Sequence, residues 1–308
     1  MTELAEPWSD KIIFTAWQRV VRYLQQANKE AWLPMRQAGA RGGKGTFAEY
    51  GCGHFGCVMP THDPTVVLKL TSDKSEAQFA RLTLDHDDQP GIIPYYKVVQ
   101  VEGAQRRGRP IYLLWRQAAD DVGYLNRVHK QYAFQRHRWS ELNYDTRSEI
   151  EGANALLNMK HWGADVQRRM EPAMRRRKST EERLRFLEEV WEAYSRARES
   201  DLTPTKNQWG RYVLPSWMKG VQAIGFAAAQ ALLGMDDMYN NPVTYNIAEG
   251  CSYWMREEQI LLADLHLGNI GTTIDTDDDP GGSAVIIDPG TALQVGPNNY
   301  PAPEIAVI

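Results

Sequence analysis

The feature that most constrains this chain is a pair of short motifs that lie far apart in its 308 residues. The first is the glycine-rich run Gly51-Cys-Gly-His-Phe-Gly-Cys-Val58, followed by the apolar run Thr65-Val-Val-Leu-Lys69. The second is Leu262-Ala-Asp-Leu-His-Leu-Gly-Asn269, followed by Ile286-Ile-Asp-Pro-Gly290. Each motif alone is common. Together, in this order, they restrict the folds and the chemistry that the chain can support.

The glycines of the first motif suit a hairpin that approaches a phosphate chain. Gly51, Gly53 and Gly56 have no side chains that would keep a ligand away from the backbone. A plain tight hairpin is the alternative for such a loop. Phe55 and Val58 extend the match to a Gly-x-Gly-x-Phe-Gly-x-Val pattern, in which the aromatic ring caps a cleft and the valine packs on adenine.

Lys69 ends an apolar strand thirteen residues after Gly56, the distance that a hairpin needs to return onto the next strand. A lysine at a strand end is usually solvated, but in this context we predict that Lys69 binds the α- and β-phosphates of a nucleotide. Such a lysine needs a carboxylate partner. Glu76, on the predicted helix 75–84, is the first candidate and Asp73 is the alternative, although either could be a surface acid in a first helical turn.

The second motif contains the acids and the amide that phosphoryl transfer requires. Asp264 and Asn269 are five residues apart, a spacing that suits a catalytic base followed by a metal ligand. Asp288 ends a β-run and precedes Pro-Gly, where we predict a second metal ligand. Turn-forming aspartates after strands are the alternative. Combined with the glycine loop and Lys69, these residues predict a site for ATP and Mg²⁺.

At these motifs the chain resembles the protein-kinase-like superfamily, over about residues 46–117 and 261–290, and its outline is most similar to short serine/threonine kinases of bacteriophages. The resemblance implies an α+β, bilobal fold with a small β-rich N-lobe and an atypical, mostly helical C-lobe. It also implies that adenine is held at a hinge near Leu113–Gln117, with Leu114 in contact. The implied organisation is an N-terminal helical extension (1–45), a nucleotide-binding N-lobe (46–117) and a helical C-lobe (118–308) with the catalytic segment 261–290.

Several departures from the protein-kinase pattern bear on the acceptor. Leu262-Ala263 replaces the His-Arg that precedes the catalytic aspartate, so regulation through a phosphorylated activation loop is not expected. His266 stands where protein kinases commonly carry a lysine, and this loop is closer to those of aminoglycoside and choline kinases. The sequence therefore predicts an atypical Ser/Thr protein kinase, acting on a protein substrate that could be itself. The alternatives are a small-molecule phosphotransferase, a nucleotide-binding pseudokinase scaffold, and transfer of AMP.

Local patterns predict further elements. Apolar spacing indicates a helix over 11–34, and Ser179-Thr-Glu-Glu182 is a capping box at a helix start. The apolar stretch Trp217–Met235 indicates a buried central helix, and Thr203–Asn207 a loop. Two β-runs, 270–274 and 284–287, predict a hairpin. Strand-like runs lie at 47–50, 58–60, 66–70, 95–101 and 111–115.

Composition bears on the binding partners and the cellular compartment of the protein. The net charge of −4 does not favour nucleic acid, and three cysteines suit a reducing compartment. The sequence lacks an apolar run of the roughly 18 residues that a membrane helix needs. We therefore expect a cytoplasmic protein, of a bacterial or phage-infected cell if the resemblance holds, and make no prediction of oligomeric state.

The basic run Arg175–Lys178, with Arg168 and Arg169, is either a docking surface, a segment that places Ser179 and Thr180 for autophosphorylation, or a solvated linker.

Overall fold

The structure is a computed structural model that divides the chain into two compact units. It describes residues 10–33, 51–52, 56–86, 88–119, 123–133, 136–200, 205–206, 212–214, 216–273, 282–297 and 304–308. The first unit comprises Met1–Asp88, Ile93–Ala118 and Pro301–Ile308, and the second comprises Gln89–Ile92 and Ala119–Tyr300. The fold is α+β, with a small antiparallel sheet in the first unit and a mostly helical second unit.

The first unit is built on a five-stranded antiparallel sheet with the order β1-β2-β3-β5-β4. Its strands are β1 (Gly51–Cys52), β2 (Gly56–Pro60), β3 (Val66–Thr71), β4 (Tyr95–Arg106) and β5 (Arg109–Gln117). β4 and β5 are joined by Arg107 and Gly108, whose φ angles of 53° and 71° make the two-residue turn that right-twisted strands favour. The predicted strands from 58 to 115 are confirmed, while 47–50 lies outside the described residues.

Helix α1 (Asp10–Gln26) covers one face of this sheet. Its side chains Ala16, Trp17, Val20 and Leu24 recur at helical spacing and are buried in one core with residues of β2 to β5. The predicted helix over 11–34 is confirmed in its first part and wrong beyond Gln26. The chain turns at Asn28, which has a φ of 51°, a left-handed conformation that ends helices. A single 3₁₀ turn follows at Glu30–Trp32.

Helix α2 (Lys74–Thr83) and the last residues of the chain complete the first unit. The main-chain N–H of Ile308 donates to the carbonyl of Gln100 at 2.9 Å, and the N–H of Glu102 donates to the carbonyl of Ile308 at 2.8 Å. These bonds place the chain end beside β4. The predicted helical C-lobe (118–308) includes this segment, because nothing local in 304–308 indicates that it pairs with β4.

The second unit is dominated by three long helices. These are α4 (Tyr144–Arg176), α5 (Thr180–Glu199) and α6 (Gly220–Leu233), accompanied by α3 (Tyr124–Ala133), α7 (Asp236–Tyr239) and α8 (Tyr245–Glu257). Helix α6 is buried from Ala223 to Ala231, which confirms the predicted central helix; its predicted start at Trp217 is wrong, since the helix begins at Gly220 and Trp217 is 61% exposed. Gly225 lets it lie directly on α5, since a Cβ there would collide with the backbone at Ala193. The predicted capping box is confirmed, because Ser179 and Glu182 each bond the other's main chain.

Short strand pairs hold the segment that contains the second motif. β8 (Ile260–Leu262) pairs with β11 (Ala292–Gln294), and β9 (Ile270–Thr272) pairs with β10 (Ala284–Ile286). The β9–β10 pair confirms the predicted hairpin, although its tip lies outside the described residues. A further pair, β6 (Thr205–Lys206) with β7 (Tyr212–Val213), lies where a loop was predicted, so that prediction is wrong at Thr205 and Lys206.

Candidate active site

Lys69 and Glu76 form a buried ion pair in the first unit. The Lys69 ammonium donates to Glu76 Oε1 at 2.6 Å, and the two side chains are 5% and 1% exposed. Asp73 instead caps helix α2, because its Oδ1 accepts from the Ser75 N–H at 2.9 Å. The structure therefore pairs Lys69 with Glu76 and not with Asp73. The pair ties the centre of the sheet to the helix that follows it.

The face of the sheet that carries Lys69 also carries two predicted nucleotide-binding residues. Val58 and Leu114 lie directly opposite Lys69 on the strands to either side, so their side chains share its face. Leu114 is fully buried and Val58 is half-buried. Two apolar side chains therefore flank Lys69 on this face of the sheet, as the adenine contacts predicted for Val58 and Leu114 would require.

Gly56 lies close against the neighbouring strand β3. A Cβ at this position would stand 2.6 Å from the Leu70 carbonyl oxygen and 2.9 Å from Lys69 Cε. The absence of a side chain at Gly56 therefore has a packing reason, in addition to the phosphate-covering role that the sequence predicts. Gly51, in β1, pairs with Val58 of β2. Gly53 and Phe55 lie outside the described residues.

Arg116 is a buried cation on this face that was not predicted from the sequence. It lies opposite Val67, two residues along β5 from Leu114, and is 5% exposed. Its Nε and Nη1 bond to no acceptor in the described part of the chain, which is costly for buried donors. An arginine near a strand end is usually solvated, so the residue type alone does not predict that Arg116 is buried. The alternation of side chains along β5 would have placed Arg116 beside Leu114 and Lys69.

In the second unit, Asn269 connects the residues of the second motif. Its side-chain amide donates to the Asp264 carbonyl at 2.8 Å. Its own carbonyl accepts from the N–H groups of Ile287 at 2.8 Å and Asp288 at 3.4 Å. The β9–β10 hairpin aligns these segments by pairing Ile270 with Ile286. Asp264, Asn269 and Asp288 are thereby brought into one place.

Gly290 lies against the predicted catalytic aspartate. It has a φ of 57°, and a Cβ on it would stand 2.8 Å from Asp264 Oδ2. Its N–H donates to Asp288 Oδ1 at 3.2 Å, which orients that carboxylate. A glycine is therefore needed here both for the backbone angle and for the approach to Asp264. The glycine of the Pro-Gly that follows Asp288 is thus required by the packing and hydrogen bonding of the two aspartates.

His266 is held as a neutral imidazole in the loop between Asp264 and Asn269. Its Nδ1 accepts from the Gly268 N–H at 3.0 Å, and its Nε2 lies 4.0 Å from Asp264 Oδ1. Burial lowers the pKa of His266 from its ordinary value, and the positive charge of Lys160 lowers it further, against the opposing effect of Asp264 and Asp288. The neutral form keeps Nδ1 free to accept and leaves Nε2 as a donor.

Helix α4 packs on this loop through residues that no sequence pattern connects with it. A Cβ at Gly163 would collide with the backbone of Ala263, and Gln167 Nε2 donates to Thr291 Oγ1 at 3.2 Å. Lys160 lies three residues before Gly163, so it shares this side of α4. Its charge acts on His266 for that reason. The register of a 33-residue helix against a distant loop has no local signal in the sequence.

The donor atoms present suit Mg²⁺ bound together with phosphates. Asn269 uses its amide nitrogen on the Asp264 carbonyl, so its amide oxygen is the atom that could face a cation. Asp288 supplies a carboxylate. Among the described residues there is no group of three or more His, Cys, Asp or Glu side chains that could hold a metal alone. Mg²⁺ commonly binds through one or two protein ligands, with substrate phosphates and waters supplying the rest.

No protein-family model, curated protein or solved structure matches the chain. As to membrane association, none of the described helices is both long enough and apolar enough to span a bilayer.

Proposed function

We propose that this protein is an ATP- and Mg²⁺-dependent phosphotransferase with a bilobal, protein-kinase-like fold, and that it phosphorylates Ser or Thr hydroxyls of a protein. One observation carries the proposal. Two polar arrangements follow one another along the chain in the order that phosphoryl transfer requires: the buried Lys69–Glu76 pair in the sheet unit, and the partly exposed Asp264, Asn269 and Asp288 cluster in the helical unit.

In this proposal the residues of the first unit hold the nucleotide. Lys69, oriented by Glu76, binds the α- and β-phosphates. Gly51, Gly53 and Gly56 form the backbone cover over the phosphates. The apolar contacts to adenine come from Phe55, Val58 and Leu114.

The residues of the second unit perform the transfer. Asp264 orients the acceptor hydroxyl and takes its proton as the hydroxyl oxygen forms a bond to the γ-phosphorus; the bond from phosphorus to the β–γ bridging oxygen breaks, and ADP leaves. Asn269 and Asp288 would hold Mg²⁺, which when bound neutralises charge on the phosphates. Gly290 keeps Asp288 oriented and Asp264 closely packed.

A small-molecule acceptor is the second candidate, and the geometry of His266 favours it. Protein kinases commonly carry a cation at this position, whereas His266 is neutral and bonded to the loop itself. The nearby cation, Lys160, comes instead from helix α4. A loop with this composition is closer to aminoglycoside and choline kinases, so the acceptor must be decided by experiment.

The test is intact-mass spectrometry of the purified protein after incubation with Mg²⁺ and ATP. A gain of about 80 Da per site, absent from Asp264→Ala, is expected for a protein kinase that modifies itself. A gain equal to one AMP would replace the proposal with nucleotide transfer. If no mass is gained, ADP release is measured with added model proteins, aminoglycosides and choline. Release only with the small molecules selects the second candidate, and no release with any acceptor rejects the proposal.

A further inference from the structure

The second unit contains a basic cavity that shares no residue with the proposed transfer site. It lies among helices α4, α5 and α6 and has a volume of about 370 Å³. Its lining consists of Arg168, Arg169, Pro172, Ala173, Arg176, Arg177, Phe186, Gly220, Val221 and Ile224. These ten residues, all in the described part of the chain, include four arginines and no acid. Cavities of this size are typical of small-molecule sites.

The positive charge of the cavity is only partly neutralised. Arg168 and Arg169 both pair with the single carboxylate of Asp165, the latter at 2.8 Å. Arg176 is exposed, and no acid lies among the cavity walls to pair with it. Arg177 also acts on the carboxylate of Glu182, outside the cavity walls. Two carboxylates therefore act on four guanidinium groups, which leaves an excess of positive charge. An anion in the cavity would meet several N–H donors, and guanidinium groups are well suited to binding phosphate oxygens.

Arg177 is already held in place before any ligand arrives. Its Nη1 donates to the Ala173 carbonyl at 2.6 Å, and its guanidinium lies 3.8 Å from the ring centre of Phe186. A side chain that is fixed in advance loses less entropy when it binds a ligand. The neighbouring walls of Gly220 and Val221 belong to the first turn of α6, which has no side-chain cap, so the positive end of that helix adds to the field.

The rest of the cavity is apolar, and this limits the kind of anion that fits. Of its apolar lining residues, Pro172 and Val221 are accessible, whereas Phe186 and Ile224 are each only 2% exposed. A bare inorganic anion would leave Pro172 and Val221 uncovered. A ligand with a phosphate at one end and a small aromatic or aliphatic body at the other would satisfy both parts. We propose that this cavity binds phosphate monoesters with a small apolar or aromatic body, as a second ligand site independent of the proposed phosphotransfer.

The test is calorimetric titration of the full chain with phenyl phosphate, inorganic phosphate and phenol. We expect phenyl phosphate to bind at one site, at least about tenfold more tightly than either of the other two. A short peptide containing phosphotyrosine is titrated in parallel. Tighter binding of the peptide than of phenyl phosphate assigns the natural ligand to a phosphorylated protein, and weaker binding assigns it to a free small molecule.

Two adjacent arginines of α4 provide a matched pair of variants. Arg176 lines the cavity, whereas Arg175 does not and lies 3.7 Å from Glu171. Both are exposed, so Arg176→Glu and Arg175→Glu make the same charge change without disturbing the core. Arg176→Glu should weaken phenyl phosphate binding by about tenfold or more, and Arg175→Glu by less than about threefold.

A cavity-filling variant tests the apolar part separately. Val221→Trp should weaken phenyl phosphate more than inorganic phosphate, because it occupies the space of the aromatic body. Equal losses in the two arginine variants would overturn the proposal, as would absence of any binding. Parent-like binding in Arg176→Glu would also overturn it, because the ligand would then occupy another site.

Discussion

Lys69 and Glu76 are joined by a 2.6 Å ion pair in which both side chains are almost completely withdrawn from solvent. The pair links strand β3 to helix α2 across seven residues of sequence. Burying two charges is costly unless each compensates the other, so such a pair is kept where the position of the cation matters. In this protein the position that it maintains is that of the Lys69 ammonium group, on the face of the sheet that carries Val58 and Leu114.

Removal of one member of this pair should destabilise the protein strongly. Lys69→Met removes the cation that compensates the buried Glu76 carboxylate and should lower the free energy of unfolding by about 3–5 kcal/mol. The double variant Lys69→Met/Glu76→Leu removes both charges and should recover most of that loss. Urea unfolding of the two single variants and the double variant measures the coupling. A single variant as stable as the parent protein would contradict the buried geometry.

The predicted catalytic and metal-binding aspartates should affect transfer and not folding. Asp264→Asn and Asp288→Asn preserve side-chain size, and each should lower the rate of ADP release by at least about a hundredfold. Thermal unfolding is measured on the same samples to show that the fold is retained. Asp236→Asn, at an exposed position in α7, is the control and should have the parent rate. Parent-like activity in either site variant would reject its assigned role.

Lys160 should set the protonation of His266. Burial and the charge of Lys160 both lower the pKa of His266, so Lys160→Met should raise that pKa. A pH titration of the imidazole signals by NMR measures the change. Lys130→Met, an exposed lysine of α3 that does not affect His266, is the control. An unchanged His266 pKa in Lys160→Met would show that α4 does not place this cation near the loop.

Gly163 should be intolerant of a side chain. A Cβ would collide with the Ala263 backbone, so Gly163→Ala must push α4 away from the loop that contains Asp264. We expect a loss of about 1–3 kcal/mol of unfolding free energy and a lower transfer rate. Asn154→Ala, on an exposed position of the same helix, should be neutral or slightly stabilising. Denaturant unfolding measures the free energy of unfolding of both variants. Equal changes in the two would contradict the close packing of Gly163 on Ala263.

The capping box of α5 should give a pH-dependent contribution to stability. The N–H groups of Lys178 and Ser179 lower the pKa of Glu182 from its ordinary value of 4.5. For an acid whose pKa is lower in the folded state, the stabilisation is present above that ordinary value and is lost as the pH falls below it. Glu182→Gln should therefore lose stability at pH 7 but much less at pH 3. Glu181→Gln, which has no such bonds, should show no such difference.

Ser179 supplies the other half of the same cap. Ser179→Ala removes the acceptor of the Glu182 N–H, a bond of 3.1 Å, and should cost about 1 kcal/mol of unfolding free energy. Thermal unfolding at neutral pH measures it. Thr180→Ala, one residue further into the helix, is the control for the change in composition, and a loss as large as that of Ser179→Ala would contradict the cap.

Local elements were predictable because their stabilising interactions lie within a few residues of one another. The Ser179–Glu182 cap, the buried helix α6 and strand β3 were all visible as short patterns. The end of α1 was not predicted, because its apolar spacing continues past Gln26 while the backbone turns at Asn28. Periodicity reports which face is buried but not where main-chain bonding stops.

What the sequence determined by itself is the set of reactive groups and their local settings: Lys69 at the end of an apolar strand, Asp264 and Asn269 in one loop, and Asp288 before Pro-Gly. The tertiary structure alone decided which of them meet. It selected Glu76 over Asp73, joined Asn269 to Asp288, and brought Lys160 to His266. Those relationships depend on strand pairing and helix packing between distant segments. Because the contacting residues are far apart in the sequence, no local sequence pattern predicts their contacts.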